Sequence, residues 1–232
     1  MKKTLLAGCA AATLSLFAVQ AHAADVTPVA EPNGFYVSLF GGASFLDRVE
    51  TNIYSDDTDY KVDTKTGYIL GGAIGMRIWE PIRAEVEVSY SRWAVDDARF
   101  KHMDGDVPHK GDAEGDGHLS ATYVLGNLWY DFQTDSGFTP YVGGGAGIGF
   151  VGADVTFFDD DYGFDDADSG FAFQAGLGVK VDLTESIAVD VGYRFKGILD
   201  VDFDNQCDNN CDDFTGGDLY SHNVQAGLTF GF

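Results

Sequence analysis

Long hydrophobic runs are absent from most of this chain, and so is an excess of positive charge. Beyond residue 24, no segment approaches the roughly 20 apolar residues of a membrane-spanning helix. Lysine and arginine number 14 against 37 aspartates and glutamates, which gives a net charge of −23. Such a balance repels the phosphate backbone of nucleic acid, so that class of partner is excluded. Disorder is also disfavoured, because glycine (30 residues) and aromatic side chains (14%) are plentiful.

The first residues have the pattern of an export signal. Met1-Lys2-Lys3 is positive, residues 5–19 are apolar, and Ala21-His22-Ala23 is a small-residue cleavage site. We therefore expect a cleaved signal peptide over 1–23, a periplasmic segment over 24–33 and one domain over 34–232. Without the signal, 14 − 2 = 12 basic residues face 37 acidic ones, for a net charge of −25.

The rest of the chain alternates apolar and polar residues, the period of a strand with two different faces. Eight such segments are found, over 34–46, 66–79, 82–93, 118–132, 139–151, 170–183, 187–195 and 219–232. Short connections alternate with long polar ones near 47–65, 94–117, 152–169 and 196–218. This pattern predicts an all-β fold, an eight-stranded antiparallel up-and-down transmembrane β-barrel with short periplasmic turns and long extracellular loops. An even number of strands places both termini in the periplasm.

One face of each predicted strand is aliphatic with aromatic ends, and the other is small and sparsely polar. The first suits a lipid-facing band, and the second suits a narrow barrel interior. Seven charged residues fall on the inward face: Arg77, Arg83, Glu85, Glu87, Lys180, Asp190 and Arg194. Because isolated buried charges are costly, we expect them to pair in a network that fills the lumen. Arg77 and Arg194 are predicted to meet Glu85, Glu87 or Asp190, and a selective pore lining is the alternative.

A glycine run also falls on an inward face. Gly143, Gly145, Gly147 and Gly149 would give neighbouring strands room for arginine, tyrosine or tryptophan. The run lacks the lysine and the helix that follow a nucleotide-binding glycine loop, so that interpretation is rejected.

Several short segments resemble one known family. They are Asn127-Leu128-Trp129-Tyr130-Asp131-Phe132, the segments 139–147 and 192–195, and Gly227-Leu228-Thr229-Phe230-Gly231-Phe232. Together with the signal peptide, they resemble the small outer-membrane β-barrels of Gram-negative bacteria, including outer-membrane-protein-A-type barrels and porin-like proteins. The resemblance implies a location in the cell outer membrane, among its lipid and lipopolysaccharide. It also implies that the terminal aromatics Phe230 and Phe232 form an assembly signal read by the barrel-assembly machinery.

The long connections carry candidate chemistry, each with a plainer alternative. Aspartates crowd the third and fourth connections, where they would either hold divalent cations or remain a solvated, repelling surface. Cys207 and Cys211 would form a disulfide in an oxidising compartment, with a metal pair as the lesser option. The second connection mixes basic residues into its acids and could contact phosphate or an acidic partner. These basic residues are Arg99, Lys101, His102, His109 and Lys110.

His118 and Ser120 form a His-x-Ser pair at the outer end of the fourth predicted strand. Barrel enzymes that deacylate lipid A carry such a pair, but no orienting carboxylate can be assigned here. We therefore expect no enzyme, no cofactor and no metal. The sequence favours a structural role with loops that contact an extracellular ligand or a host surface. A narrow ion or small-solute channel and a lipid-A-modifying enzyme are the alternatives.

Overall fold

The structure is a computed structural model that describes residues 34–47, 49–53, 58–104, 107–113, 115–134, 137–157, 162–201 and 217–232. The described part contains eleven β-strands. These are β1 (Phe35–Leu46), β2 (Val49–Ile53), β3 (Thr58–Thr64), β4 (Gly67–Trp79), β5 (Ile82–Asp104), β6 (Val107–Ala113), β7 (Gly115–Asp131), β8 (Phe138–Phe157), β9 (Tyr162–Asp182), β10 (Ile187–Val201) and β11 (Gly217–Gly231).

Eight of these strands form a closed antiparallel barrel. Around the barrel the order is β1, β4, β5, β7, β8, β9, β10 and β11, so that each strand pairs with the next barrel strand along the chain. Pairing of β1 with β11 closes the ring, with Val37 opposite Phe230 and Phe45 opposite His222. The predicted eight-stranded up-and-down barrel is confirmed. Closure removes the free sheet edges, which lipid could not satisfy.

Short turns lie at one end of the barrel. Glu80 and Pro81, joined by a cis peptide bond, connect β4 to β5, and residues 183–186 connect β9 to β10. In the second turn, the Thr184 hydroxyl accepts hydrogen bonds from the backbone amides of Ser186 and Ile187, at 3.2 and 3.0 Å. The beginning of β1 and the end of β11 lie at the same end, where the Phe232 amide donates to the Phe35 carbonyl. Short turns mark the periplasmic end in this class of barrel.

The strands continue further at the other end than the sequence pattern predicted. The third predicted strand was expected to end at residue 93, whereas β5 continues to Asp104 and forms a hairpin with β6. β2 and β3 form another hairpin within the first connection, and β3 pairs with the outer part of β5. β8 and β9 stay paired as far as Phe157 and Tyr162. The predicted ends were too early because alternation reports only the lipid-spanning part of a strand, whereas backbone pairing needs no apolar face.

The faces of the barrel are inside out relative to a water-soluble barrel. Large apolar side chains point outward and are exposed; Ile74, Val191 and Leu39 each keep about 60% of their surface accessible (63%, 62% and 59%). Charged and polar side chains point inward and are buried, including Glu87 and Lys196. A lipid solvent makes this arrangement favourable, because it leaves apolar atoms in contact with hydrocarbon. Among the described residues, no helix is long and apolar enough to cross a membrane.

Candidate functional site

The barrel interior holds the densest set of polar contacts, beginning at the periplasmic end with Arg83. Its guanidinium donates two hydrogen bonds to the Asp131 carboxylate, at 2.7 and 2.9 Å, and a third to the Tyr36 hydroxyl at 3.1 Å. The Tyr36 hydroxyl in turn donates to Glu85 at 2.9 Å. Arg83 is the second residue of β5, and Asp131 is the last residue of β7. These two neighbouring strands therefore form a planar, bidentate ion pair in the lumen.

Glu87 lies deeper in the lumen and forms a fully buried ion pair. The ammonium group of Lys196 lies 2.5 Å from the Glu87 carboxylate, and neither side chain has more than 3% exposure. Gln174 and Ser89 donate further hydrogen bonds to this carboxylate, at 2.7 and 2.8 Å. The ammonium also lies 4.8 Å from the centre of the Tyr123 ring, a cation–π distance. Together, these hydrogen bonds and the cation–π contact offset the large free-energy cost of burying both charges.

Arg194 and Arg77 differ from their predicted pairing. Arg77 lies 3.8 Å from the carboxylate of Asp131, a partner that was not predicted for it. Arg194 donates to the Tyr141 hydroxyl at 3.1 Å, and this hydroxyl donates to Asp190 at 2.8 Å. Arg194 therefore reaches one predicted carboxylate through a tyrosine and does not pair with it directly. Aromatic rings take the place of a counter-ion, because the guanidinium lies 4.2 Å from the Trp129 ring centre and 5.1 Å from that of Tyr141.

Lys180 faces a small polar cavity in the same half of the lumen. The cavity has a volume of about 40 Å³, which is room for about three water molecules. Lys180 stands opposite Asp190 in the β9–β10 register, but it makes no ion pair with a carboxylate among the described residues. The side-chain carbonyl of Gln225 and the Nε of Arg194 are also buried without a protein partner. Water molecules in this cavity would satisfy these groups.

An apolar layer fills the lumen toward the extracellular end. It contains the buried side chains Trp93, Ala121, Tyr123, Leu125, Val151, Ala172, Ile198, Val201 and Leu219. The Trp93 indole nitrogen donates to the Ser44 hydroxyl at 3.0 Å, which satisfies the one polar atom of the largest side chain in the layer. The sequence pattern predicted a charged interior, and this apolar layer was not predicted. The sequence did contain a signal for this layer, because apolar residues occupy inward-facing positions of β5, β7 and β10.

Inward glycines provide space for neighbouring large side chains. Of the four predicted positions, Gly143 faces a tryptophan as expected, whereas Gly145 faces Asn127, Gly147 faces backbone atoms and Gly149 faces Ile198. A Cβ at Gly143 would collide with the Trp129 ring and the Leu128 carbonyl, and one at Gly75 would collide with the Tyr36 ring. Only glycine allows a bulky neighbour to lie across the strand at such positions.

The remaining sequence-predicted features lie outside this interior or outside the described residues. Ser120 donates to the Gly152 carbonyl at 3.3 Å, and the described contacts do not pair it with His118. Phe230 and Phe232 point outward at the periplasmic rim. Cys207, Cys211, the signal peptide and the side chains of the basic second connection lie outside what the structure describes, as do most of the clustered aspartates. Where side chains are described, no group of three His, Cys, Asp or Glu residues could hold a metal ion.

A family model for the outer membrane protein beta-barrel domain matches residues 9–232. The chain belongs to this outer-membrane barrel family. Its location is therefore the outer membrane, consistent with the closed barrel and its apolar outer face.

Individual relatives are distant. Outer membrane protein PagN of Salmonella typhimurium is 25% identical over 190 residues, which span 70% of this chain and 73% of PagN. An uncharacterised protein of Brucella suis is 25% identical over 181 residues, which span 69% of this chain and 63% of that protein.

Two solved structures show the same fold at low identity. The match to Neisserial surface protein A covers 86% of this chain and 97% of that protein's chain, with a TM-score of 0.50 and 21% identity. The match to the outer membrane protease OmpT from Escherichia coli covers 87% of this chain and 97% of that protein's chain, with a TM-score of 0.56 and 8% identity. At these identities, the likeness is one of fold alone.

Proposed function

We propose that this protein is a non-conducting, non-catalytic outer-membrane barrel that anchors extracellular hairpins for contact with ligands or host surfaces. The observation that carries the proposal is the filled lumen. A polar network occupies its periplasmic half and an apolar layer occupies its extracellular half. An eight-stranded barrel has an interior just wide enough for side chains, and here those side chains are present on every strand.

The extended strands support the second half of the proposal. A strand needs about 9–11 residues to cross the membrane, whereas β5, β8 and β9 have 23, 20 and 21 residues. About half of each strand therefore lies beyond the lipid, where it continues as paired hairpins. Hairpins whose backbones are already paired lose less conformational entropy on binding a partner than unpaired loops would.

The non-conducting role predicts a silent protein in a planar lipid bilayer. Folded protein added from detergent should insert without producing unitary current steps, because the apolar layer excludes water and ions. A porin of known conductance, inserted from the same detergent, would establish that the assay detects single channels. Current steps of constant size, proportional in number to the protein added, would support the narrow-channel alternative and contradict the proposal.

The non-catalytic role predicts an unchanged acyl pattern in lipid A. The proposal is supported by the contact of Ser120 with the Gly152 carbonyl, because a nucleophile must instead share its proton with a base. Mass spectrometry of lipid A from cells with and without the protein should give identical spectra. Loss of one acyl chain in the expressing cells, abolished by Ser120→Ala, would favour the enzyme alternative.

We also propose the processing and partners that the sequence suggests. Residues 1–23 would be removed on export, and Cys207 and Cys211 would then form a disulfide in the fourth extracellular connection. The outward-facing Phe230 and Phe232 would be read by the barrel-assembly machinery before insertion. The acidic connections would bridge to lipopolysaccharide through divalent cations or remain solvated.

A further inference from the structure

A groove opens on the outer surface of the barrel at the extracellular ends of β4, β5 and β7. Its volume is about 320 Å³, and Tyr68, Arg92 and His118 are among the side chains that line it. Arg92 stands opposite Tyr68 in the β4–β5 register, and His118 stands opposite Ala94 in the β5–β7 register. All three side chains are on the outward parity of their strands. The groove therefore faces lipid and not the lumen.

The height of Arg92 places the groove at the border of the membrane. The outward side chains of β5 are apolar at Val86 and Val88 and aromatic at Tyr90, and Arg92 is the next in this series. From residue 82 to residue 92, a strand tilted by about 40° rises roughly 26 Å, close to the height of about 25 Å of the apolar band. Tyr90 lies one outward position below Arg92, and its ring centre is 6.4 Å from that of Tyr68, which stands opposite Arg92. Arg92 is therefore at the level of the lipid headgroups in the outer leaflet.

The groove is basic in a chain that is strongly acidic. Within the described part of the chain, its lining includes no carboxylate, and Arg92 makes no ion pair with one. The Lys65 amide donates to the Ala94 carbonyl at 2.9 Å, which holds the backbone between β3 and β4 at the edge of the groove. An exposed guanidinium with tyrosine and threonine hydroxyls beside it is a phosphate-binding set, because arginine forms paired hydrogen bonds to phosphate oxygens.

We propose that this groove binds a phosphate of lipid A, the phosphorylated headgroup of lipopolysaccharide in the outer leaflet. Three observations agree on this occupant: the groove opens toward lipid, it lies at headgroup height, and its basic lining contrasts with a net charge of −23. A phosphate monoester carries more charge than the diester of a phospholipid, so the Arg92 guanidinium favours lipid A. The inference depends on the outer-membrane location and is independent of whether the lumen conducts.

Native mass spectrometry of the folded protein in detergent would test this site. With bisphosphorylated lipid A as the probe, we expect one lipid bound per barrel and about tenfold weaker binding for Arg92→Gln. Arg92→Lys, which keeps the charge, should bind within about threefold of the unmodified protein. Lipid A treated with phosphatase should bind the unmodified protein as weakly as the phosphorylated form binds Arg92→Gln. This last comparison needs no variant and holds even if Arg92→Gln folds poorly.

The control is His222→Gln, which changes an outward polar side chain on β11, a strand that does not line the groove. It should bind lipid A like the unmodified protein. Equal binding by Arg92→Gln and the unmodified protein would overturn the proposal, and so would an equal loss in His222→Gln. Retention of phosphatidylglycerol as tightly as lipid A would overturn the assignment to lipopolysaccharide.

Discussion

Replacing Lys196 by methionine should destabilise the barrel by about 3–5 kcal/mol, because it leaves the Glu87 carboxylate buried without its counter-ion. Lys196 is fully buried, and its ammonium contacts both Glu87 and the Ser89 hydroxyl. Methionine has a similar volume, so the loss should come from charge and not from a cavity. Urea unfolding in lipid vesicles, followed by tryptophan fluorescence, measures the difference in the free energy of unfolding.

A double variant separates the ion pair from the space that it fills. Glu87→Gln combined with Lys196→Met removes both charges. The new amide oxygen can still accept from Gln174, and the new NH2 group can donate to the Ser89 hydroxyl, which donates to the carboxylate in the unmodified protein. We expect this double variant to lie within about 2 kcal/mol of the unmodified protein, because a buried ion pair is often replaceable by neutral groups of similar volume. The two single variants and the double variant together form a cycle that gives the coupling energy.

Lys180→Met is the matched control for the Lys196 substitution. Both lysines are buried in the lumen, but Lys180 faces the small cavity and has no carboxylate ion pair among the described residues. Its loss should change the free energy of unfolding by no more than about 1 kcal/mol. Equal destabilisation by the two substitutions would show that loss of lysine packing, and not the Glu87 ion pair, accounts for the effect.

The sequence was sufficient to predict the barrel and its two faces. Alternation over about ten residues distinguishes inward from outward positions, and the parity predicted for Arg83, Glu87 and Arg194 is the one observed. The turn at Glu80 and Pro81 was also predictable, because only these two residues separate two predicted strands, over 66–79 and 82–93. These features are local along one strand, so they can be read without knowing which strands are neighbours.

The partners of the interior charges could not be predicted in the same way. A pair such as Glu87 and Lys196 joins β5 to β10 across the lumen, so it depends on barrel diameter and strand stagger. Lys196 was missed because the predicted seventh strand ended at Phe195, one residue too early. Asp131 was also missed. It lies at an inward-facing position at the end of β7, where its carboxylate accepts a hydrogen bond from Arg83.

Gly145→Ala should reduce the yield of folded barrel sharply, by destabilising it by about 3 kcal/mol or more. Gly145 faces the lumen, and a Cβ there would collide with the Asn127 side-chain oxygen and the Gly126 carbonyl oxygen. Asn127 is not free to move away, because its amide group also contacts Glu85, Glu87 and Gln174. Electrophoresis of unheated and boiled samples measures the folded fraction, since an intact membrane barrel migrates differently until it is boiled.

Gly126→Ala is the control, one strand away and on the opposite face. Gly126 points to lipid, and a Cβ there would meet nothing closer than the Ala146 carbonyl oxygen at 3.9 Å. The added methyl group should leave stability within about 0.5 kcal/mol, so the folded fraction should match that of the unmodified protein. If both substitutions were tolerated, the lumen would have more free space than the filled interior described here, and the proposal of a sealed barrel would lose its basis. If only Gly145→Ala fails, the same close packing that excludes an extra methyl group also excludes a continuous path for ions.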